Sequence, residues 1–344
     1  MEMTVGYGLI GSGTMGLVYS EALAKQVPNG ALRAITGGSR AAALAAEYRV
    51  PAIGSVDEML SRDDIGAVII ATPHTTHLPY TRACAAAGKH VYCEKPMAVT
   101  VGECDEMIAA CRDAGVKLTV AAQSRQNPVF KTAKELIENG TVGEVRMIRV
   151  LSSTVGWDIA EGSWIEDPDE GGAFLDWGVH GMDILNWFIG SRATRVFATF
   201  ENYGGSAMPD ISTMAQYEMA SGAMVQVWMS YEMPSPGLGS NMGLTIVCSK
   251  AILQMDRYWL KLGIGDDWTD VISIEGWNWL LDPKNPRRIA MSAGQLRDFS
   301  GNIIDDTEPS PSGEEARNAV EMIDYARRSA AAHRSIDIPP AARC

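Results

Sequence analysis

The chain has 344 residues, 46% hydrophobic and 21% charged, with a formal net charge of -13, a length and composition that fit a globular protein of two domains. Such an acidic balance opposes non-specific association with nucleic acid or with an anionic membrane surface, and leaves small neutral or polar molecules as ligands. The start at Met1-Glu2-Met3-Thr4 lacks a basic segment followed by an apolar one, no apolar run is long enough to span a bilayer, and six cysteines show no C-x-x-C pair. These features read as a cytoplasmic protein with reduced thiols and neither a disulfide framework nor structural zinc.

In chain order, Val5 to Ile10 reads as a strand that runs straight into Gly11-Ser12-Gly13-Thr14-Met15-Gly16, and a helix follows to about Gln26. This G-x-G-x-x-G stands where a dinucleotide fingerprint belongs. The first glycine makes the tight turn, the second lets the backbone approach a pyrophosphate, and the third allows close packing of helix on sheet. Without the flanking strand and helix the same string would read as a glycine-rich turn that binds nothing. The second strand, Ala31 to Thr36, continues as Gly37-Gly38-Ser39-Arg40. An NAD site usually places an acid there to hold the adenosine ribose. Ser39 and Arg40 instead offer a hydroxyl and a cation, the partners of a 2′-phosphate, so NADP is favoured over NAD. The competing reading is that Arg40 is a solvated residue at the start of the helix that runs to Tyr48.

Further strands are expected at Ala67 to Ala71, His90 to Cys93 and Lys117 to Ala121, with helices at His77 to Ala87 and Val101 to Ala114. Strands alternating with helices predict a doubly wound parallel sheet, giving a first domain over residues 1–122. Glu94-Lys95-Pro96 follows a strand whose C-terminal end shares the ligand-binding edge with the glycine loop, so Lys95 is placed to hold a hydroxyl or polarise a carbonyl. Read alone, it is a surface lysine. His74 and His77, with His90 or Cys93, admit a metal reading, but no catalytic zinc spacing is present and no metal is expected.

After Gln123-Ser124-Arg125-Gln126-Asn127-Pro128 the texture changes. A helix at Val129 to Asn139 precedes two-residue alternation at Val145 to Ser153, Arg195 to Glu201, Met214 to Met219, Ala223 to Tyr231, Leu244 to Cys248, Ile252 to Met255 and Tyr258 to Leu262. This predicts an α+β second domain, 123–344, with a large, open, mostly antiparallel sheet. All nine tryptophans fall at Trp157 or later, as core and interface aromatics or as platforms for a substrate. An open face has to be covered, and a second copy of the chain is the simplest cover. The closing helix, 314–331, has the option of packing back on the first domain. The loops 204–210, 232–240 and 281–288 are expected to shape the mouth of a pocket.

Asp176-Trp177-Gly178-Val179-His180 opens a helix toward Phe188. Residues four apart share a face, so Asp176 can orient or tune His180, which can exchange a proton near neutral pH. An N-cap aspartate beside a satisfied histidine would produce the same string.

Taken together, the N-terminal fingerprint, Thr72-Pro73-His74-Thr75-Thr76-His77, Glu94-Lys95-Pro96 and the D-x-G-x-H of Asp176 to His180 with Asp183 following resemble the Gfo/Idh/MocA family. That family includes glucose-fructose oxidoreductase and inositol dehydrogenases, and the resemblance covers nearly the whole chain. It implies an N-terminal Rossmann domain, a C-terminal domain whose open sheet makes a homodimer or homotetramer, and the catalytic set Lys95, Asp176 and His180. Cofactor contacts carried over are Gly11, Ser12, Gly13, Thr14, Met15, Gly16, Ser39, Arg40, Thr72, Pro73, His74, His77, Glu94, Lys95 and Gln123. Substrate contacts are Lys95, Arg125, Trp164, Asp176 and His180. His74 stands where many relatives have asparagine, and with Gln123 it lines the cofactor or substrate pocket on this reading. The implied activity is hydride transfer between nicotinamide and a secondary alcohol or ketone of a sugar, cyclic polyol or related hydroxylated ring. The alternatives are reduction of a keto-sugar, imine or semialdehyde, and a cofactor-binding sensor without turnover.

Overall fold

Strand β1, Val5–Ile10, is buried along its whole length, as a strand covered by helices on both faces must be. The computed structural model describes residues 3–155, 164–204, 208–238, 242–276 and 282–340. Trp157, residues 205–207 and 239–240, and residue 281, all of them in features singled out from sequence, lie outside that set. The described chain divides into two compact units, one drawn from 1–126 and 277–317 and the other from 127–276 and 318–344.

In the first unit β1 leads through α1 (Thr14–Lys25) to β2 (Gly30–Thr36), α2 (Ala41–Tyr48) and α3 (Val56–Leu60). Then come β3 (Ala67–Ile70), α4 (His77–Ala86), β4 (His90–Cys93), α5 (Val101–Asp113) and β5 (Leu118–Val120). The strands form one sheet in the order β2-β1-β3-β4-β5, and every pairing in it is parallel. The order reverses between β1 and β3, the switch point outside which doubly wound sheets bind ligands.

A helix absent from the sequence reading, Pro286–Ile304, completes this unit. Residues 277–317, expected within the second domain, group instead with the parallel sheet. The physical reason is a stripe at helical spacing, Ile289, Ala293, Leu296 and Phe299, which joins Tyr7, Tyr19 and Tyr92 in one buried cluster. Gln295 fixes its register by accepting from the Ala122 N–H (2.8 Å) and the Tyr92 hydroxyl (2.9 Å) and donating to the Val120 carbonyl (2.7 Å). Asn285 starts the helix, its side chain capping the Arg287 N–H with Pro286 at the first turn.

The second unit begins with α6 (Pro128–Glu138) and β6 (Val145–Val155), followed by α7 (Val179–Ile189), β7 (Ala193–Glu201), β8 (Ser212–Met219) and β9 (Met224–Met233). Next are β10 (Gly243–Cys248), β11 (Ile252–Met255), β12 (Trp259–Ile264) and β13 (Asp267–Ser273). The helix Pro286–Ile304 of the first unit is α8; α9 (Gly313–Ala332) and β14 (Ile336–Asp337) close the chain. The nine-stranded sheet has the order β13-β12-β11-β10-β6-β9-β8-β7-β14. Only β6 and β9 pair in parallel; the remaining pairings are antiparallel.

Period-two alternation divides this sheet into two faces. Ile148, Val150, Ala215, Tyr217, Val225 and Val227 are buried, whereas Met147, Phe197, Met214, Met224 and Trp228 are exposed. Most of α9 packs in this unit: Tyr217 donates to the Met322 carbonyl (3.1 Å), and Arg192 pairs with Glu321 (2.9 Å). Only its start, through Arg317, groups with the parallel sheet, where Arg317 pairs with Asp105. The closing helix thus returns to the first domain in its first turn alone, because its later turns carry the apolar residues Ala319, Val320, Ile323 and Ala326 that are buried in the second unit.

Candidate active site

At the end of β1 the backbone of Gly11 has φ +110°, and a Cβ there would sit 2.2 Å from the Ala71 carbonyl oxygen. A Cβ on Gly16 would lie 2.4 Å from the Gly11 oxygen. Both positions therefore require glycine. Gly13 is open by contrast, since the nearest atom to a Cβ built on it is Arg40 Nη2 at 3.9 Å. Gly13 also caps α1 without a side chain, which leaves the first-turn N–H groups of Thr14 and Met15 to the loop itself. The Arg40 N–H donates to Ser12 Oγ at 3.2 Å. Ser12, Gly13 and Arg40 are thus assembled on one side of the loop, and exposed Ser39 adjoins them.

The segment after β3 is held by its own side chains. Thr76 Oγ1 lies 2.6 Å from both Thr72 Oγ1 and the Pro73 carbonyl. His77 is fully buried, with Nδ1 2.9 Å from the Pro96 carbonyl and Nε2 3.0 Å from that of Thr72. Expected among the cofactor contacts, His77 instead turns both ring nitrogens to backbone and ties the loop after β3 to the loop carrying Lys95. His74 is buried beside it, ring centroids 5.9 Å apart.

Burial, and secondarily His74, push the His77 pKa down to about 4, against backbone hydrogen bonds that raise it. A histidine with a depressed pKa stabilises the fold fully above its unfolded value, near 6.5, and loses that contribution as pH falls toward 4. Between pH 7.5 and 5 this amounts to roughly 2 kcal/mol. Urea unfolding at the two pH values is expected to show a smaller acid loss in His77→Gln than in the parent chain; an equal loss would remove His77 as its source.

Glu94 is buried at the end of β4 and accepts from the Tyr19 hydroxyl, from Gln123 Nε2 (3.3 Å) and, through Oε2, from the Lys95 N–H (2.9 Å). Gln123 also donates to Tyr19 Oη at 2.8 Å. Burial, followed by the charge of Glu94, raises the Tyr19 pKa well above that of an ordinary phenol. Two residues expected from sequence, Glu94 and Gln123, therefore meet through one that was not, Tyr19, and their network anchors the backbone of half-buried Lys95. Arg125, expected at the substrate, lies buried with Nη1 3.0 Å from Ser310 Oγ and 3.2 Å from Glu315 Oε2. That nitrogen is committed to the first turn of α9 and the residues just before it.

In the second unit, Phe174–Gly178 forms a π turn ahead of α7. The continuous α-helix expected through Asp176 and His180 is corrected here: a π turn takes about one residue more per hydrogen bond than the α-helix. Asp176 is buried in that turn while His180 is half-buried in the first turn of α7. The Trp177 ring lies edge-on to His180 (5.7 Å) and tilted against Tyr231 (6.1 Å). Burial raises the Tyr231 pKa, Ser152 and Arg257 oppose the rise, and the charge of Asp176 adds to it. Arg257 is itself buried, which lowers its pKa to about 10. Tyr231, which feels the charges of both Asp176 and Arg257, was not foreseen; its sole sequence signal is a phenolic residue inside the strand pattern of β9. Trp164, expected at the substrate, stands 46% exposed in a short 3-10 turn. Among the described residues no three His, Cys, Asp or Glu side chains are grouped to hold a metal ion, and no helix is long and apolar enough to cross a membrane.

Residues 5–122 match the oxidoreductase family with an NAD-binding Rossmann fold, and residues 130–254 match the GFO/IDH/MocA C-terminal domain. The chain belongs to the Gfo/Idh/MocA oxidoreductase family. It is 27% identical over 348 residues to inositol 2-dehydrogenase of Rhizobium meliloti, covering 98% of this chain and 100% of that protein. It is 29% identical over 224 residues to trans-1,2-dihydrobenzene-1,2-diol dehydrogenase of Mus musculus, 64% of each chain, and 30% identical over 203 residues to an uncharacterised oxidoreductase of Bacillus subtilis. The chain spans 64% of the mouse protein and 55% of the Bacillus one. Among solved structures, a putative myo-inositol dehydrogenase from Sinorhizobium meliloti superimposes with a TM-score of 0.82 at 25% identity, over 98% of this chain and 100% of that one. Aldose-aldose oxidoreductase from Caulobacter crescentus does so with a TM-score of 0.83 at 22% identity, over 97% and 100%, and that likeness speaks to fold.

Proposed function

We propose that this Gfo/Idh/MocA oxidoreductase transfers hydride between a nicotinamide cofactor and a secondary alcohol or ketone of a sugar, cyclic polyol or related hydroxylated ring. The observation that carries the reading is the end-to-end match to an inositol 2-dehydrogenase, in a chain that presents Lys95, Asp176 and His180 each on a locally built structure. The open side of Gly13 and the close approaches at Gly11 and Gly16 fit a dinucleotide lying along the loop. When bound, the nicotinamide supplies the hydride acceptor or donor. In the oxidative direction Lys95 holds the reacting hydroxyl and favours its ionisation, and His180 takes the proton. Asp176 orients His180 or grips a neighbouring hydroxyl, and in reduction the roles reverse.

We infer further that Ser39 and Arg40 select NADP. Relatives of this fold include a levoglucosan dehydrogenase complexed with NADH and a putative NADPH-dependent oxidoreductase from Desulfitobacterium hafniense, so the choice rests on Arg40 beside Gly13. Nicotinamide absorbance across polyols, aldoses and ketoses, run with both cofactors, tests both readings. Turnover of a cyclic polyol or sugar with kcat/KM at least tenfold higher for NADP is expected from a 2′-phosphate salt link. A strong NAD preference overturns the Arg40 assignment. Silence across the panel despite tight cofactor binding favours a sensor.

The exposed face bearing Met147, Phe197, Met214, Met224 and Trp228 supports association with a second copy as a homodimer or homotetramer, readable by sedimentation. The five described cysteines are buried and free, which supports a cytoplasmic setting.

A further inference from the structure

Arg288 lies in the first turn of α8, three residues after the cap at Asn285, yet its side chain reaches the other end of the sequence. Its Nη2 is 3.3 Å from Sδ of Met15, the fifth residue of the glycine fingerprint and the second of α1. The position is rigidly set. Ile289, the next residue, is 2% exposed in the aromatic cluster, and Gln295 locks the helix register two turns on through the ends of β4 and β5. The guanidinium is partly buried, which opposes its ionisation most strongly, while the charges of Glu94 and Asp282 favour it.

The fingerprint Gly11-Ser12-Gly13-Thr14-Met15-Gly16 contains no cation, and nearby Glu94 places a buried carboxylate at the same edge of the sheet. A dinucleotide brings two further negative charges on its diphosphate to the start of α1. Backbone N–H groups give that diphosphate direction and a partial positive charge, not a full one. A thioether is a weak acceptor, so the Met15 contact is readily exchanged for phosphate oxygens, which a planar guanidinium grips two at a time.

We propose that Arg288 is the cation that clamps the diphosphate bridge of the nicotinamide dinucleotide over the first turn of α1. It delivers from α8 the charge that the glycine loop lacks. The proposal rests on the loop binding a nicotinamide dinucleotide.

Full-length Arg288→Gln and Arg288→Lys are compared with the parent chain by fluorescence titration of NADPH and NADH, and by displacement with ADP-ribose and with adenosine, which lacks phosphate. Arg288→Gln is expected to weaken the dinucleotides and ADP-ribose by roughly 10- to 100-fold, as loss of a bidentate charged contact does. Adenosine affinity stays within about twofold, and Arg288→Lys, which keeps the charge without the fork, falls between. Unchanged ADP-ribose binding in Arg288→Gln overturns the proposal, as does an equal loss for adenosine, which would mark a general disturbance of the loop. Should Arg288→Gln not fold, the lysine variant decides by the same comparison. A parent chain that binds no dinucleotide overturns the proposal together with the cofactor reading beneath it, whereas tight parental binding with an unaffected variant sinks the Arg288 role alone.

Discussion

His180→Ala is expected to lower kcat by about 10²- to 10⁴-fold, the usual worth of a positioned general acid or base, while affinity for the nicotinamide dinucleotide is retained. The two effects separate because His180 belongs to the second unit and the glycine fingerprint to the first. His180 is half-buried in the first turn of α7, packed against the Trp177 ring, with Asp176 buried in the π turn just before it. Steady-state rates and fluorescence titration of the cofactor check the expectation, and added imidazole should restore part of the lost rate at the vacated position. Lys95→Ala is expected to fall by a similar factor, since the network of Glu94, Tyr19 and Gln123 that anchors its backbone would still stand. Near-parental turnover in both variants would refute the proton-transfer assignment.

Phe299→Ala is expected to destabilise the parallel-sheet unit by about 3–5 kcal/mol, the range for deleting a buried aromatic ring. Phe299 is 1% exposed, and its ring meets that of Tyr92 edge-on at 6.0 Å, which in turn meets Tyr19 at 5.3 Å. The cavity would open in the face of the sheet that also carries Tyr19 and, through it, Glu94, so rigidity at the cofactor loop should fall along with stability. For a unit of this size the thermal midpoint is expected to drop on the order of 10 °C. Thermal melts and cofactor titration on the full chain provide the test. A drop of less than 1 kcal/mol would mean that α8 is a dispensable appendage and not the final layer of the Rossmann core.

Residues close together in the chain were the readable ones. The strand-loop-helix around Gly11 to Gly16 lies within about two dozen residues, and the geometry at Gly11 and Gly16 accords with the turn and close packing expected there. Glu94-Lys95 was picked out from an equally local cue, the strand that leads into it. Asp176 and His180 were singled out as a pair on one helical face, but the π turn of Phe174–Gly178 that carries Asp176 was not, because spacing alone does not report it. Helix α8 carried a signal that went unused, an Asn-Pro start before apolar residues at helical intervals; its low overall hydrophobicity hid the stripe.

Local pattern was therefore enough to define the Rossmann sheet and the alternating faces of the second sheet, while Lys95, Asp176 and His180 were singled out as a set through the family resemblance. Which segments complete each unit, and which charges surround each candidate, came from contacts between residues far apart in sequence. Tyr19 meets Glu94 across 75 residues, and Arg288 meets Met15 across 273. Hydrophobic periodicity specifies that a helix such as α8 must bury one face. It does not specify against which sheet, because burial is non-directional and only shape and hydrogen-bond complementarity, here at Gln295 and Phe299, select the partner.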